Sequence, residues 1–590
     1  MNPSTMIRYT LSTICALLLV TGCADGAQKP APLTVAKTSA SVGVADTIYT
    51  GGHIITINDA APSAEALAVK DGKILAVGAK ADVLKTKGSA TKLVDLGGKA
   101  LIPGFVDTWS HIGPAAILAD FADLSWWGEQ APADFKAIFA KLQANQRQQG
   151  VKDGEWIVGW GYDPTYLKEN RHPDRADLDA AFPRNPVALV HLSGIMGVTN
   201  SAGLKILGVS AASQDPAGGS IVRNPATGEP TGLLQGASFA PLAAQAIGKP
   251  TMEQLRERLR KTQNIYAAHG FTTVQDGIAV PPALALYQEA GAKGELFLDI
   301  VALPGSEMAD ALISGEKALP FRVYKNHWKL GGIVMSGDSG PQERMALFSQ
   351  PYLTQVPGKD ADFRGMALST QEEIDRIAKL CYEHNIQYIG YGNGDGGIDM
   401  HLHGIAKAVQ ELKDTGQNHR AVIAHSQFVR RDQLDAYRKY AIIPSFFTNH
   451  AYMFGDVHVM NLGKDRAFFL SPMKTAAAKG LVVTNHTDYF SAPPAALFAV
   501  WTAVNRISRS DVVIGSDERV TPLEALRAMT ANGAYQYFEE TTKGSLEAGK
   551  LADFVILDQN PLTVDPNTLK DIKIVETIKD GRSIYRRAAN

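Results

Sequence analysis

Cysteine is scarce in this chain, with 3 in 590 residues. Cys15 and Cys23 lie in the first segment and Cys381 stands alone far downstream, so no disulfide framework holds the folded part together. Its cores must hold by packing. An excess of charge of one sign is also missing. Charged residues make up 20% of the chain and the formal net charge is -2, which leaves no basic footprint for a nucleic-acid partner. The apolar run from Leu11 to Val20 falls short of the roughly 20 residues that a permanent membrane helix needs. What the chain does have is length, enough to bury apolar surface in more than one core.

Arg8, that apolar run, and then Thr21-Gly22-Cys23 have the charged start and small-residue end of a cleaved signal. The arrangement resembles a bacterial lipoprotein signal covering residues 1–23, with lipid on Cys23. An ordinary secretory signal with a chance cysteine is the alternative. Ala24 follows where lipoproteins retained in the inner membrane often have Asp, so the expected location is the periplasmic side of the cell envelope, at the outer membrane. Residues 24–44, rich in Ala, Ser, Thr and Pro, read as a flexible tether.

From Asp46 the pattern changes to short strands and turns. Ala66 to Val69 and Lys73 to Val77 flank Asp71-Gly72, a strong hairpin signal. The same texture returns at Ala552 to Leu557 and Ile572 to Ile578, followed by Asp580-Gly581. Two β-rich ends around a long middle suggest one small sandwich built from both termini. Two unrelated β flaps are the alternative.

The middle alternates helices and strands. Thr251 to Gln254, Thr370 to Glu373 and Thr521 to Glu524 are capping-box patterns that open helices. Met252, Leu255, Leu259 and Tyr266 recur at helical spacing, and Gly270 stops that helix before the strand-like Phe271 to Val274. Such alternation implies parallel strands, in an open doubly wound sheet or a closed (β/α)8 barrel. Polar residues cluster just after the strand-like runs: Asp107 and His111, Asp338, Asn393 and Asp395, His425, His450, then His486 and Asp488. In a barrel these positions share the C-terminal mouth, where catalytic groups sit. No Gly-x-Gly-x-x-Gly is expected to follow a strand, which favours the barrel over the doubly wound sheet, and the periodic placement points to a site.

Specific stretches then add a family. Gly154 to Asp163, His172-Pro173 with Arg175 to Asp179, Ile443 to Phe447, and the ending Lys543-Gly544-Ser545-Leu546-Glu547-Ala548-Gly549-Lys550-Leu551-Ala552-Asp553 resemble the amidohydrolase superfamily. The branch they resemble is amidohydrolase family 3, that of N-substituted formamide deformylase-like proteins. The resemblance runs from about Asp46 to Arg587. It implies an α/β fold: a TIM-like (β/α)8 barrel over residues 101–535, a β-sandwich from residues 45–100 and 536–590, and an insertion over the mouth at about 120–250. It also implies hydrolysis of a carbon-nitrogen bond other than a peptide bond in a small molecule, by water bound to one or two divalent metal ions.

The family's ligand positions, carried over residue by residue, fall on Trp109 with His111, on Val334, on Tyr391 and on His425, and the proton-transferring aspartate on Asp488. Tryptophan and valine cannot bind zinc, and a neutral tyrosine binds it poorly. Ile195 stands where this branch usually has histidine. The resemblance therefore implies a reduced site, and three readings stay open. One divalent ion, zinc in the first place, is held by His111 and Asp488 with His425 or, alternatively, His486, and Asp488 and His450 are the catalytic groups. Alternatively no metal binds, and Asp488 works with His425 or His450 as an acid-base pair. Or the chain binds or regulates without catalysis. In each case Trp109, Ile195, Asp338, Tyr391, Asn393, Asp395 and His486 are expected to face the small-molecule substrate or ligand.

Overall fold

A computed structural model describes residues 43–588, apart from 128–129, 217, 316–318 and 357. The signal, Cys23 and most of the tether therefore lie outside the described residues. The two β-rich ends meet in one eight-stranded sheet. Ser63–Lys70 and Lys73–Gly78 pair antiparallel around Asp71-Gly72. Both turn residues have positive φ, 48° and 76°, as a two-residue type I′ turn requires. Asp580 and Gly581 repeat this at 50° and 72° between Ile574–Lys579 and Arg582–Arg586. The ends are stitched together where Ala100–Pro103 pairs antiparallel with Phe554–Leu557.

The middle is built on parallel strands in two sheets. One contains Phe105–Val106, Phe271–Ala279, Asp299–Pro304 and Trp328–Leu330. The other contains Gly332–Ser336, Gln387–Gly392, Val422–His425, Ile443–Phe446 and Thr484–Asn485. Only Gly331 separates Trp328–Leu330 from Gly332–Ser336, and a parallel bridge between Gly305 and Val334 ties the sheets there. At the other edges the amide of Asp488 donates to the carbonyl of Trp109 at 3.0 Å. Helices return the chain between strands, and the capping boxes at Thr251, Thr370 and Thr521 are all formed.

The segment near 120–250 forms a separate six-stranded sheet, from Ala122–Asp123 to Pro230–Gly236, with its own apolar clusters. Its tryptophans pack it onto the rest. Trp126 stacks on Tyr166 at 4.8 Å and lies 5.9 Å from Tyr452, and Trp160 meets Phe490 edge-on at 6.1 Å. Between the parallel strands, Trp109, Val301, Leu303, Val334, Ile389, Val422 and Ile443 form a continuous apolar plug, with Tyr391 packed against it.

Candidate active site

The site lies beyond the C-terminal ends of the parallel strands, where side chains leave regular structure and turn toward one cavity. The backbone there is strained: His425, Ser426 and Asp488 have φ of 70°, 44° and 58°, left-handed values that non-glycine residues seldom adopt and that cluster at functional sites. Asp488 is held by a neighbour as well. The carboxylate of buried Asp107 accepts the Thr487 amide at 3.0 Å and also the Thr487 hydroxyl, which binds the last strand end to the first.

Asp488 stands between two imidazoles. His111 Nε2 is 3.2 Å from Asp488 Oδ1, and His425 Nε2 is 3.8 Å from Oδ2. His111 Nδ1 donates to the Gly277 carbonyl at 3.0 Å, because a carbonyl can only accept. Burial works against charge on both partners, but their mutual attraction outweighs it. Asp488 is held far below the usual carboxylate range, and His111 is raised above its ordinary value. The result is a buried imidazolium-carboxylate pair. Gly277 leaves room for both rings, since a Cβ there would lie 3.0 Å from Trp109 Cζ2 and 3.3 Å from His111 Cε1 and press on them.

Trp109 occupies the centre. Its indole is fully buried and sits 5.7 Å from His111, 5.9 Å from His425 and 5.6 Å from Tyr391, measured between ring centroids. The residues do not fit a resident metal of the family type. The fixing of His111 Nδ1 on a carbonyl is what a ligating histidine has, but the neighbouring ligand positions carry an indole, a valine and a phenol. Among the described residues no group of three or more His, Cys, Asp or Glu side chains is placed to hold a metal ion.

A cavity of ≈ 400 Å³ opens above Asp488 and His425, within the usual range for small-molecule sites, and Ile195, Tyr391, Asn393 and His450 also line it. The side-chain amide of Asn393 is buried with neither of its polar atoms paired. His450 Nδ1 shares a hydrogen bond with His458 Nε2 at 3.1 Å, which leaves Nε2 as its free nitrogen. Burial and the neighbouring histidine hold the pKa of His450 well below the imidazole range, so it is neutral.

The other expected contacts lie elsewhere. His486 is fully buried beneath Phe447, stacked at 5.1 Å, with Nδ1 hydrogen-bonded to Ser445 Oγ at 2.9 Å. Asp395 opens a helix and pairs with Arg430 at 3.0 Å. Asp338 accepts the amides of Asn393, Gly394 and Leu347 at 2.8, 2.7 and 2.9 Å, and burial pushes its pKa up to about 7. Gly392, Gly394 and Gly397 have the Gly-x-Gly-x-x-Gly spacing between the strand Gln387–Gly392 and the helix Asp395–Leu412, which corrects the expectation that no such pattern follows a strand. Two amides of this loop, those of Asn393 and Gly394, are already taken by Asp338. Sequence reading also missed His172, His191 and Glu343, which line the cavity. His172 lay within a recognised stretch, whereas Glu343 sits in a loop with no periodic signal.

Relatives share this frame over nearly all of the chain. N-substituted formamide deformylase from Arthrobacter pascens is 25% identical over 92% of this chain and 99% of its own length. Protein LONG AFTER FAR-RED 3 from Arabidopsis thaliana is 29% identical over 92% of each. In fold, a metal-dependent hydrolase from Pyrococcus furiosus superposes with a TM-score of 0.69 at 21% identity, covering 88% of this chain and all of that one. The pattern of the amidohydrolase family (Amidohydro_3) matches residues 92–585, and the chain belongs to that family.

Proposed function

We propose that the protein hydrolyses a carbon-nitrogen bond of a small molecule in this cavity, with His425 and Asp488 doing the work that a metal-bound hydroxide does elsewhere in the family. The observation that carries the reading is the His111–Asp488–His425 arrangement, with Asp488 and His425 both lining the cavity. Family membership and the deformylase relative support the reaction class. The two parallel sheets are read as one barrel whose mouth holds these groups.

A carboxylate held as low as Asp488 is a poor base. The imidazole of His425 therefore removes the proton from water through Nε2, the nitrogen that faces Asp488 at 3.8 Å, because Nδ1 is buried, and the nearby Asp488 carboxylate stabilises the imidazolium that forms. His111 keeps Asp488 ionised throughout. The carbonyl oxygen, as it gains charge, lies against His450 and the unpaired amide of Asn393. The His425 imidazolium then returns its proton to the departing nitrogen as the carbon-nitrogen bond breaks. Positioned proton transfer of this kind contributes roughly 10²–10⁴ in rate.

The test is turnover of a panel of N-substituted formamides and amides before and after exhaustive chelation. Hydrolysis that survives chelation and falls about 10²-fold or more in His425→Ala is the expected result. Hydrolysis lost on chelation and restored by zinc would overturn the metal-free mechanism. A chain that binds members of the panel and turns over none would be a binding protein instead.

A further inference from the structure

Within that cavity, the distribution of charge speaks to what enters. Three carboxyl groups line it, Asp163, Glu343 and Asp488, and among the described residues that line it there is no lysine and no arginine. Two of these acids are spoken for. Asp488 is paired with His111 at 3.2 Å, and Asp163 accepts the amide and hydroxyl of Thr165, both at 2.8 Å. Glu343 has no such partner: burial alone acts on its carboxyl, and pushes its pKa up.

Three of the four histidines in the lining do not supply the missing charge. Burial lowers His172, takes His191 down to about 4, and holds His450 well below the imidazole range, so all three are neutral at pH 7. Glu343 is half-buried; a carboxyl kept partly from water with no hydrogen bond or cation among the described residues is costly, and a ligand that supplies one removes that cost. Phe447, Phe454 and Tyr391 are also in the wall, and aromatic faces attract cations further.

We infer that the molecule taken into this cavity carries a positive charge, an ammonium or related group, which pairs with Glu343. This rests on the reading of the cavity as the substrate site and narrows the substrate to an amide bearing an amine. Glu343 is then the residue that sets specificity. Anionic amides are excluded by the same field.

Calorimetric binding to the purified protein of three probes of like length tests it: N-acetylputrescine, with a terminal ammonium; N-pentylacetamide, with a methyl there; and acetamidopentanoate, with a carboxylate. The ammonium probe is expected to bind roughly tenfold or more tightly than the methyl probe, with the carboxylate probe weakest. Glu343→Gln erases the preference and Glu343→Asp, which keeps the charge, retains it. Binding of the methyl probe shows that each variant has kept its cavity. Equal affinities across the probes, a preference that persists in Glu343→Gln, or no binding of any probe would overturn the inference. Product formation is followed in the same samples. A cation preference without turnover defeats the hydrolase reading and leaves this inference standing, and turnover indifferent to charge does the reverse.

Discussion

Trp109 sets the chemistry by what it displaces. An indole buried among His111, His425 and Tyr391 removes both a ligand and the space for an ion, and the carboxylate left behind turns to imidazoles. This predicts a specific pH dependence of stability. His111 is raised above its ordinary value, so its contribution is complete below about pH 6.5 and is lost as pH rises through the raised value. Asp488 is depressed, so its contribution is complete above about pH 4 and is lost only in strong acid. Asp488→Asn leaves a buried charge without its partner, at about 3–5 kcal/mol. Urea titrations should show the largest gap between wild type and variant from about pH 4 to about 6.5, narrowing above. A gap that widens above that range would mean that His111 is neutral in the fold. His111, His425 and Asp488 were legible in the sequence because each follows an apolar run. Asp338 and Asp395 follow such runs too, but their carboxylates are spent on backbone amides and Arg430. Position after a strand does not say which way a side chain is used.

Short-range chemistry made most elements readable. Threonine with an acid or amide three residues on, and Asp-Gly between apolar runs, depend only on neighbours in sequence. The strands Phe105–Val106 and Thr484–Asn485 are two residues long and carry no period of their own. They are recognisable only from the parallel partners beside them. The internal sheet of the insertion was not read from the sequence although its strands Ile157–Tyr162 and Val187–His191 are six and five residues long, and nothing local separates lining a pocket from packing for its tryptophans. They pack. Trp126 bridges Tyr166 of the insertion and Tyr452 of the helix Asn449–Leu462, and each aromatic pair adds about 0.5–1.5 kcal/mol beyond its buried area. Trp126→Ala should therefore speed amide exchange in the insertion strands Ile157–Tyr162 and Val187–His191 well before it alters exchange in Val422–His425. Uniform acceleration through both regions would show that the insertion and the parallel strands open as one unit.

At the scale of the whole molecule the first and last strands share one sheet, so the folded part returns to the place where it began. The described residues start at 43, next to the segment read as a tether, and we propose that lipid on Cys23 holds the protein to the periplasmic face of the outer membrane. The energetics make this sharply testable. A single acyl chain gives marginal, reversible binding, whereas the several chains of a bacterial lipoprotein hold stably, at about 0.8 kcal/mol per buried methylene. The near-neutral net charge, -2, adds little attraction to anionic lipid, so anchoring depends on the acyl chains. In cells fed labelled palmitate, wild type should carry label and sediment with outer membranes. Cys23→Ser should lose both and, where the signal is still cut, appear in the soluble periplasmic fraction with its hydrolytic activity intact. Membrane association that persists in Cys23→Ser would place the attachment in the folded surface instead and remove the lipid anchor from the proposal.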